Sequence, residues 1–333
     1  MPAISVVVAT WNGLDLLKAC VAALSVQTLE HELVVVDNGS QDGTAEWVRT
    51  AVPGARLVPL AHNLGFAGGN NVGLRVAGGD MLVLVNNDTL PPPSFLANIT
   101  APLATCPAAG SVAGVLTFAH RPELVASAGI APGRDGVHRD AHLLAPVSSL
   151  PTGPQEIFGA SGGAVCFRRR ALEDVGLFAG RFFNYLEDAD HAWRLRLRGW
   201  SSVLAPDARL PHVYSATSGH FSPFKLRLLA LNRWRVLLRS VPTALLQKHA
   251  CTILRYDVLA VAYGSLTGNW EVVRGRLDAI REIALLRRER RALAGATRTS
   301  ADELDRWLAP AATVSEVLNE RRQLDEVLSS REM

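Results

Sequence analysis

The four cysteines of this sequence do not pair. Cys20, Cys106, Cys166 and Cys251 are scattered through apolar runs with no two at metal-ligand or redox spacing, which excludes a disulfide scaffold or a thiolate zinc site and leaves them as reduced core residues. There is no basic, apolar leader with a small-residue cleavage site, because residues 4–9 begin the fold at once. Export is therefore not expected, the chain is placed in the cytoplasm, and the glycosylation sequons at Asn38, Asn87 and Asn98 carry no weight. Long charge-free apolar runs are missing too. The stretch 243–264 carries Lys248, His249, Arg255 and Asp257, so it suits an interfacial or packing helix rather than a membrane span. Internal repeats are absent. Positive charge is sparse at the start, where the first hundred residues hold only Lys18, Arg49, Arg56 and Arg75, whereas arginine crowds the segment from Arg168 to Arg291 under a net charge of +3. A basic second half points to phosphate or an anionic membrane surface as partner, and no nucleic acid is expected.

What is present is enough apolar material, 48% of 333 residues, for one large core and a further module. The first half alternates β-rich runs with helical spacing, the pattern of a parallel sheet with crossover helices. Strands are expected over 4–10, 33–37, 55–60 and 81–85, with helices from Leu14 and over 44–50. Between the third and fourth strands, Asn63-Leu-Gly-Phe-Ala-Gly-Gly-Asn-Asn71 offers Gly65, Gly68 and Gly69 for a tight turn and close approach of a ligand, and is placed as a binding loop. Beyond it come the prolines of 91–93, a helix near 94–104, a strand near 111–118 and a Gly/Pro/Asp-rich stretch over 131–154 that reads as a variable excursion outside the core. Past His220 the pattern turns to long helices over 224–238, 242–266, 270–293 and 314–329.

Four clusters carry chemistry. Strands of an open parallel sheet end at a ligand crevice, and the strand ends place Thr10 and Asn12, Asp37, and Asn86 and Asn87 on one edge. Asp37 suits a nucleobase or ribose; taken alone it reads first as a helix cap or turn former with Gly39 and Ser40. In Asn86-Asn-Asp88, Asp88 can grip a hard cation with Asn86 in support, or the motif is an ordinary turn before the prolines. In Glu187-Asp188-Ala-Asp190 the acids open a helix, where its dipole favours them, and Asp190 can pair with Arg194 one turn on. His212 follows a proline as a loop residue would, and its imidazole would also serve as a second anchor for a transition-type cation.

Together these pieces resemble family-2 glycosyltransferases of the GT-A fold, in particular bacterial rhamnosyltransferase-like members. The resemblance rests on Val6-Val-Val-Ala-Thr-Trp-Asn12, Val34-Val-Val-Asp-Asn-Gly-Ser40 with Asp42-Gly43, the segment Asn63 to Asn71, Asn86-Asn-Asp88, the segment Phe182 to Arg194, Gly199-Trp200 and His212, in the family's order over about two-thirds of the chain. It implies an α/β GT-A domain over 1–220, with a nucleotide half to about 110 and an acceptor half beyond, followed by a helical extension over 221–333. It implies further that Thr10, Asp37 and Asn63 lie on the nucleotide, that Gly65 to Asn70, Gly68 included, shape the donor pocket, and that Asp88 and His212 bind a divalent metal, Mn2+ or Mg2+, on the diphosphate. Asp188 would be the base toward the acceptor hydroxyl, with Glu187 positioning the acceptor, and the anomeric centre would invert. The donor would be a nucleotide-diphosphate sugar, thymidine-diphosphate-rhamnose or a UDP-sugar by resemblance, and the acceptor a cell-envelope glycan or lipid-linked intermediate. Many relatives carry Asp where Asn86 stands, which leaves that position uncharged here. The run Arg233-Trp-Arg-Val-Leu-Leu-Arg239 is similar to the membrane-proximal helices of such enzymes and serves equally as a helical cap on the core.

Two other classes compete. A sugar-phosphate nucleotidyltransferase would open with a basic Gly-rich triphosphate loop, but no Lys or Arg precedes Lys18; a dinucleotide-binding dehydrogenase would carry its glycines after the first strand. A non-catalytic sugar-nucleotide or glycan binder would share the fold, and the Glu187-Asp188 pair argues against it.

Overall fold

The computed structural model describes residues 3–213 and 222–329. Valine-rich runs fix its centre. In β1 (Ile4–Thr10) the fully buried Val6 and Val8 join the core on one face of the sheet and Val7 the core on the other, as a strand covered on both sides requires. The crossover helix α1 (Leu14–Ser25) buries Leu17, Cys20, Val21 and Leu24, a helical repeat. It leads to β2 (Glu32–Asp37), α2 (Thr44–Ala51), β3 (Arg56–Pro59), α3 (Gly65–Val76), β4 (Met81–Val85) and α4 (Phe95–Thr105). Then follow β5 (Ala109–Phe118), β6 (Arg121–Ser127), the short hairpin β7 (Ile130–Pro132) and β8 (His138–Asp140), β9 (Gln155–Ile157), β10 (Ala164–Arg168), α5 (Arg169–Val175), α6 (Glu187–Leu197) and β11 (Ser201–His212). The main sheet runs β3-β2-β1-β4-β10-β5-β11-β9, with β6 beside β5. Strands β1 to β5 and β11 point one way, and β10, β9 and β6 oppose them. This is the α/β, mostly parallel architecture that the sequence implies.

A helical region completes the chain: α7 (Pro223–Arg239), α8 (Thr243–Lys248), α9 (Ala250–Leu266), α10 (Glu271–Arg281), α11 (Ile283–Ala294), α12 (Ala301–Asp305) and α13 (Val314–Ser329). It builds a third core with α6, in which Trp193 packs edge-on against Phe158 at 4.9 Å and meets Phe182, Val236, Leu237 and Leu304. The division expected near residue 220 lies outside the described residues.

Three local expectations change. The glycine-rich loop is mostly helix α3, and its glycines lie close against protein: a side chain on Gly65 would meet the Phe183 carbonyl, one on Gly68 the Leu64 side chain and one on Gly69 the Asn38 amide. The excursion over 131–154 is packed, with Asp135, Val147 and Leu150 buried, and the Ala309 amide, donating to the Pro132 carbonyl, and the Arg134 amide, donating to the Ala309 carbonyl, tie its hairpin to the C-terminal region. The helices expected over 242–266 and 270–293 are each two, broken at His249 and Glu282, where tertiary contacts to Asp305 and Arg235 hold the junctions.

Between the two readings of 233–239, the structure favours the cap. Arg233 and Arg235 are buried and paired with Asp257 and Glu282, and Arg239 pairs with Glu289 and Asp190.

Candidate active site

The parallel pairing of β1 and β2 brings Thr10 opposite Asp37 at the C-terminal edge of the sheet. The loops beyond are tied together there. Asn87 donates to the Thr10 hydroxyl at 2.9 Å, the Asn12 amide donates to Ser40 Oγ at 2.9 Å, and Asn12 Oδ1 accepts from the Gln41 amide at 2.8 Å. Asn12 reaches this position with a left-handed backbone, φ 47°, which asparagine tolerates better than most residues. Asp37 is buried and gives one oxygen to the Ser40 amide at 2.9 Å, so the turn role is real; its other oxygen makes no hydrogen bond to a described residue.

Asn63 is turned inward. Its Oδ1 accepts from the Gly65 amide at 2.7 Å and from Asn38 at 3.0 Å, while Asn38 also donates to the Gly65 carbonyl and accepts from the Leu64 amide. Asn38 therefore anchors the start of α3. An asparagine between a strand-end Asp and a Gly is the signal for this anchor in sequence. Asn70 is buried too and bonds back to the Phe66 carbonyl one turn earlier.

At the next strand end, β11 closes against the segment after β4. Thr89 bridges His212, the Leu90 amide donates to the Pro211 carbonyl, and the Val213 amide donates to the Asp88 carbonyl. That pairing places His212 Nε2 3.1 Å from Asp88 Oδ1 and 3.5 Å from Asn86 Nδ2, although Asn86 and His212 are 126 residues apart in sequence. Among the described residues no group of three or more His, Cys, Asp or Glu side chains gathers for a metal. One carboxylate and one imidazole brought together are nevertheless side-chain types that would hold a divalent cation.

The acidic cluster reaches the same edge through a segment that the sequence reading passed over, Ser161-Gly162-Gly163 ahead of β10. The Asn86 amide donates to the Gly163 carbonyl at 3.2 Å, and the Gly162 amide donates to Asp188 Oδ2 at 3.0 Å. Two glycines before an apolar strand were its only trace in sequence. Asp188 Oδ1 also accepts from the Ala189 amide at 2.8 Å. Burial raises the Asp188 carboxyl above its usual range, and the Gly162 and Ala189 amides offset part of that rise. Glu187 is buried with Oε2 unpaired; burial, and then the charge of Asp188, push it well above the ordinary carboxylate range. Two such carboxyls side by side do not both ionise readily.

Asp190 has a different task. It is fully buried between Arg194 at 2.9 Å, Arg239 and Ser240 at 2.6 Å, and although burial works against it, the two guanidinium groups hold it at about 2. The pairing of Asp190 with Arg194 one turn on is present, as part of a larger structural network. Two further residues were not foreseen. Asp140, at the end of β8, is pushed to about 6, chiefly by burial and further by the charge of Asp188, while Ser127, Lys225 and His212 oppose the rise. Lys225 on α7 lies 5.3 Å from the Tyr185 ring centre.

Comparison with known proteins follows the same outline. The profile of glycosyl transferase family 2 matches residues 5–176. Over 237 residues the chain is 28% identical to the N-acetylglucosaminyl-diphospho-decaprenol L-rhamnosyltransferase of Mycobacterium tuberculosis, covering 64% of this chain and 77% of that one. It is also 28% identical over 232 residues to the uncharacterized protein y4gI of Sinorhizobium fredii, covering 66% of this chain but only 25% of that longer protein. Among solved structures, the mannosyltransferase PcManGT from Pyrobaculum calidifontis in complex with GDP-Man and Mn2+ superposes with a TM-score of 0.52 at 20% identity, covering 89% of this chain and 86% of that one. GalNAc-T7 with UDP, GalNAc and Mn2+ gives 0.56 at 14% identity, covering 80% and 58%. At those identities the likeness is one of fold.

Proposed function

Because the chain belongs to glycosyl transferase family 2, we propose that it moves a sugar from a nucleotide-diphosphate donor to an acceptor hydroxyl with inversion, using Asp188 as the base. The observation that carries this reading is the bridge Asn86–Gly163–Gly162–Asp188, which joins the strand end beside Asp88 and His212 to a partly buried carboxylate of raised proton affinity.

Thr10, Asn12 and the free oxygen of Asp37 receive the nucleoside at the edge of β1 and β2, with Asn87 fixing the Thr10 hydroxyl. Asn63 and Asn70 act at one remove, by shaping α3, as do Gly65 and Gly68. Asp88 and His212 would hold a divalent cation, Mn2+ or Mg2+, which when bound supplies positive charge to the leaving diphosphate. Asn86, uncharged, supports His212 and lies beside the segment that carries Asp188. Opposite the diphosphate, Asp188 takes the proton from the acceptor oxygen as it attacks, a contribution worth roughly 10²–10⁴-fold. Glu187, whose proton affinity burial and the charge of Asp188 raise well above the ordinary carboxylate range, stands beside it to position the acceptor. The relative from Mycobacterium supports a rhamnosyl donor and a lipid-linked envelope acceptor as the finer reading. Action at the inner face of a membrane draws support from exposed Leu254, Val258, Leu266, Leu277 and Ile280 beside exposed Arg281 and Arg288.

The test is nucleotide release from a panel of donors, with and without acceptor and chelator. Asp188→Asn is expected to keep donor binding and lose transfer. Wild-type turnover in that variant would remove Asp188 from the chemistry, and tight donor binding without any release by the native protein would favour a non-catalytic binder.

A further inference from the structure

The carboxylates Glu187 and Asp188 follow a turn that the chain does not adopt unaided. Phe183, Tyr185 and Leu186 all have left-handed backbones, with φ of 61°, 70° and 63°, an arrangement costly for residues with bulky side chains. Within the turn the Tyr185 amide donates to Asn184 Oδ1 at 3.0 Å, and one side chain from a distant helix gathers its carbonyls. Asn232, on α7 and fully buried, turns the two N–H groups of Nδ2 to three carbonyls, those of Phe182 at 3.0 Å, Asn184 at 2.9 Å and Tyr185 at 2.8 Å, one hydrogen being shared between two of them. Its own Oδ1 accepts from Arg235 at 2.9 Å, and Arg235 is held in turn by the Arg181 carbonyl and Glu282. The amide therefore cannot flip without losing bonds at both ends. From the other side, the Ala67 amide of α3 donates to the Phe183 carbonyl at 3.1 Å, and Gly65 leaves that carbonyl the room it occupies.

We propose that Asn232 is a positioning residue: from the C-terminal helical region it clamps the left-handed turn over 182–186 against α3 and so sets where the Glu187 and Asp188 carboxylates stand. The proposal rests on Asp188 being the base. It assigns the helical region a task in the reaction beyond covering the core, and it ties the donor side and the base side of the site to one strained turn. Losing the clamp leaves the nucleotide edge of β1, β2 and β4 untouched while displacing the base, and displacement of about 1 Å is enough to cost about 10²-fold in rate.

The experiment uses the full chain with Asn232→Ala, and with Asn232→Ser, which keeps one donor, should the alanine variant not fold. Ser202→Ala is the control, since it removes a buried hydroxyl pair with Ser111 between β5 and β11. Steady-state transfer, donor affinity and the pH profile of kcat/KM are measured for each. Expected for Asn232→Ala is a kcat about 10²-fold lower with donor affinity kept within about threefold. The acid limb should also move to lower pH, because a loosened turn lets water reach the Asp188 carboxylate. Asn232→Ser should fall between, and Ser202→Ala should lower the melting temperature with the pH limb in place. A kcat within about threefold of the native value in Asn232→Ala, or an equal kcat loss and limb shift in Ser202→Ala, overturns the proposal. If instead Asp188→Asn turns over normally, it is the base assignment that fails, and the two results are read independently.

Discussion

Asp88 and His212 show how much a single residue's reading gains from its neighbour. In sequence each alone reads as an ordinary loop residue; the structure sets His212 at the end of β11, and its 3.1 Å separation from Asp88 is what suggests a cation site. Asp88→Ala is expected to weaken donor binding and to abolish the response of donor affinity to manganese, measured by calorimetric titration with and without the ion. Equal affinity in all four conditions would take Asp88 out of the site. The three acids at the start of α6 are equivalent in sequence and divide sharply in the structure. Asp190 is held low by two arginines, Asp188 is raised by burial against two amides, and Glu187 is raised further with no bond to its Oε2. Sequence spacing foresaw the pair of Asp190 with Arg194, because i,i+4 neighbours meet on any helix. It did not foresee Arg239 or Ser240, which arrive from another helix.

At the scale of elements, α3 is the instructive case. Its glycines were assigned to a ligand, and the structure assigns them to packing, most clearly at Gly65, where φ is +72° and a Cβ would come within 2.2 Å of the Phe183 carbonyl. Gly65→Ala is therefore expected to cost at least about 1–2 kcal/mol from the left-handed backbone alone, with a further loss of transfer because the turn ahead of Glu187 must shift. Thermal melting and steady-state transfer check this, and an unchanged melting temperature would show that α3 does not press on that turn. Helix α7 makes the complementary point. A basic, apolar run suits a membrane face or a core face equally well in sequence. The choice fell to the core because Asp257, Glu282, Glu289 and Asp190 stand ready to neutralise its arginines, and a buried cation without such a partner is prohibitively costly.

For the whole molecule, α9 and α10 carry a group of exposed apolar side chains, Leu254, Val258, Leu266, Leu277 and Ile280. None of the helices is long and apolar enough, among the described residues, to cross a membrane. The protein is expected to float with anionic liposomes at low salt and to be released at high salt; sedimentation of the protein away from such vesicles at low salt would reject a membrane role for this face. The amino-acid sequence alone determined the alternating strands and helices, the α/β class and the order of the motifs, because buried strands and crossover helices write their periodicity into local spacing. It also named the residues at the strand ends, since a parallel sheet delivers those ends to one edge. Only the tertiary structure decided that Gly162 and Gly163 link Asn86 to Asp188, that Asp140 and Lys225 stand near, and that Asn232 holds the turn before the acids. Those are contacts between segments far apart in the chain, fixed by packing and buried hydrogen bonds, and no local pattern records them.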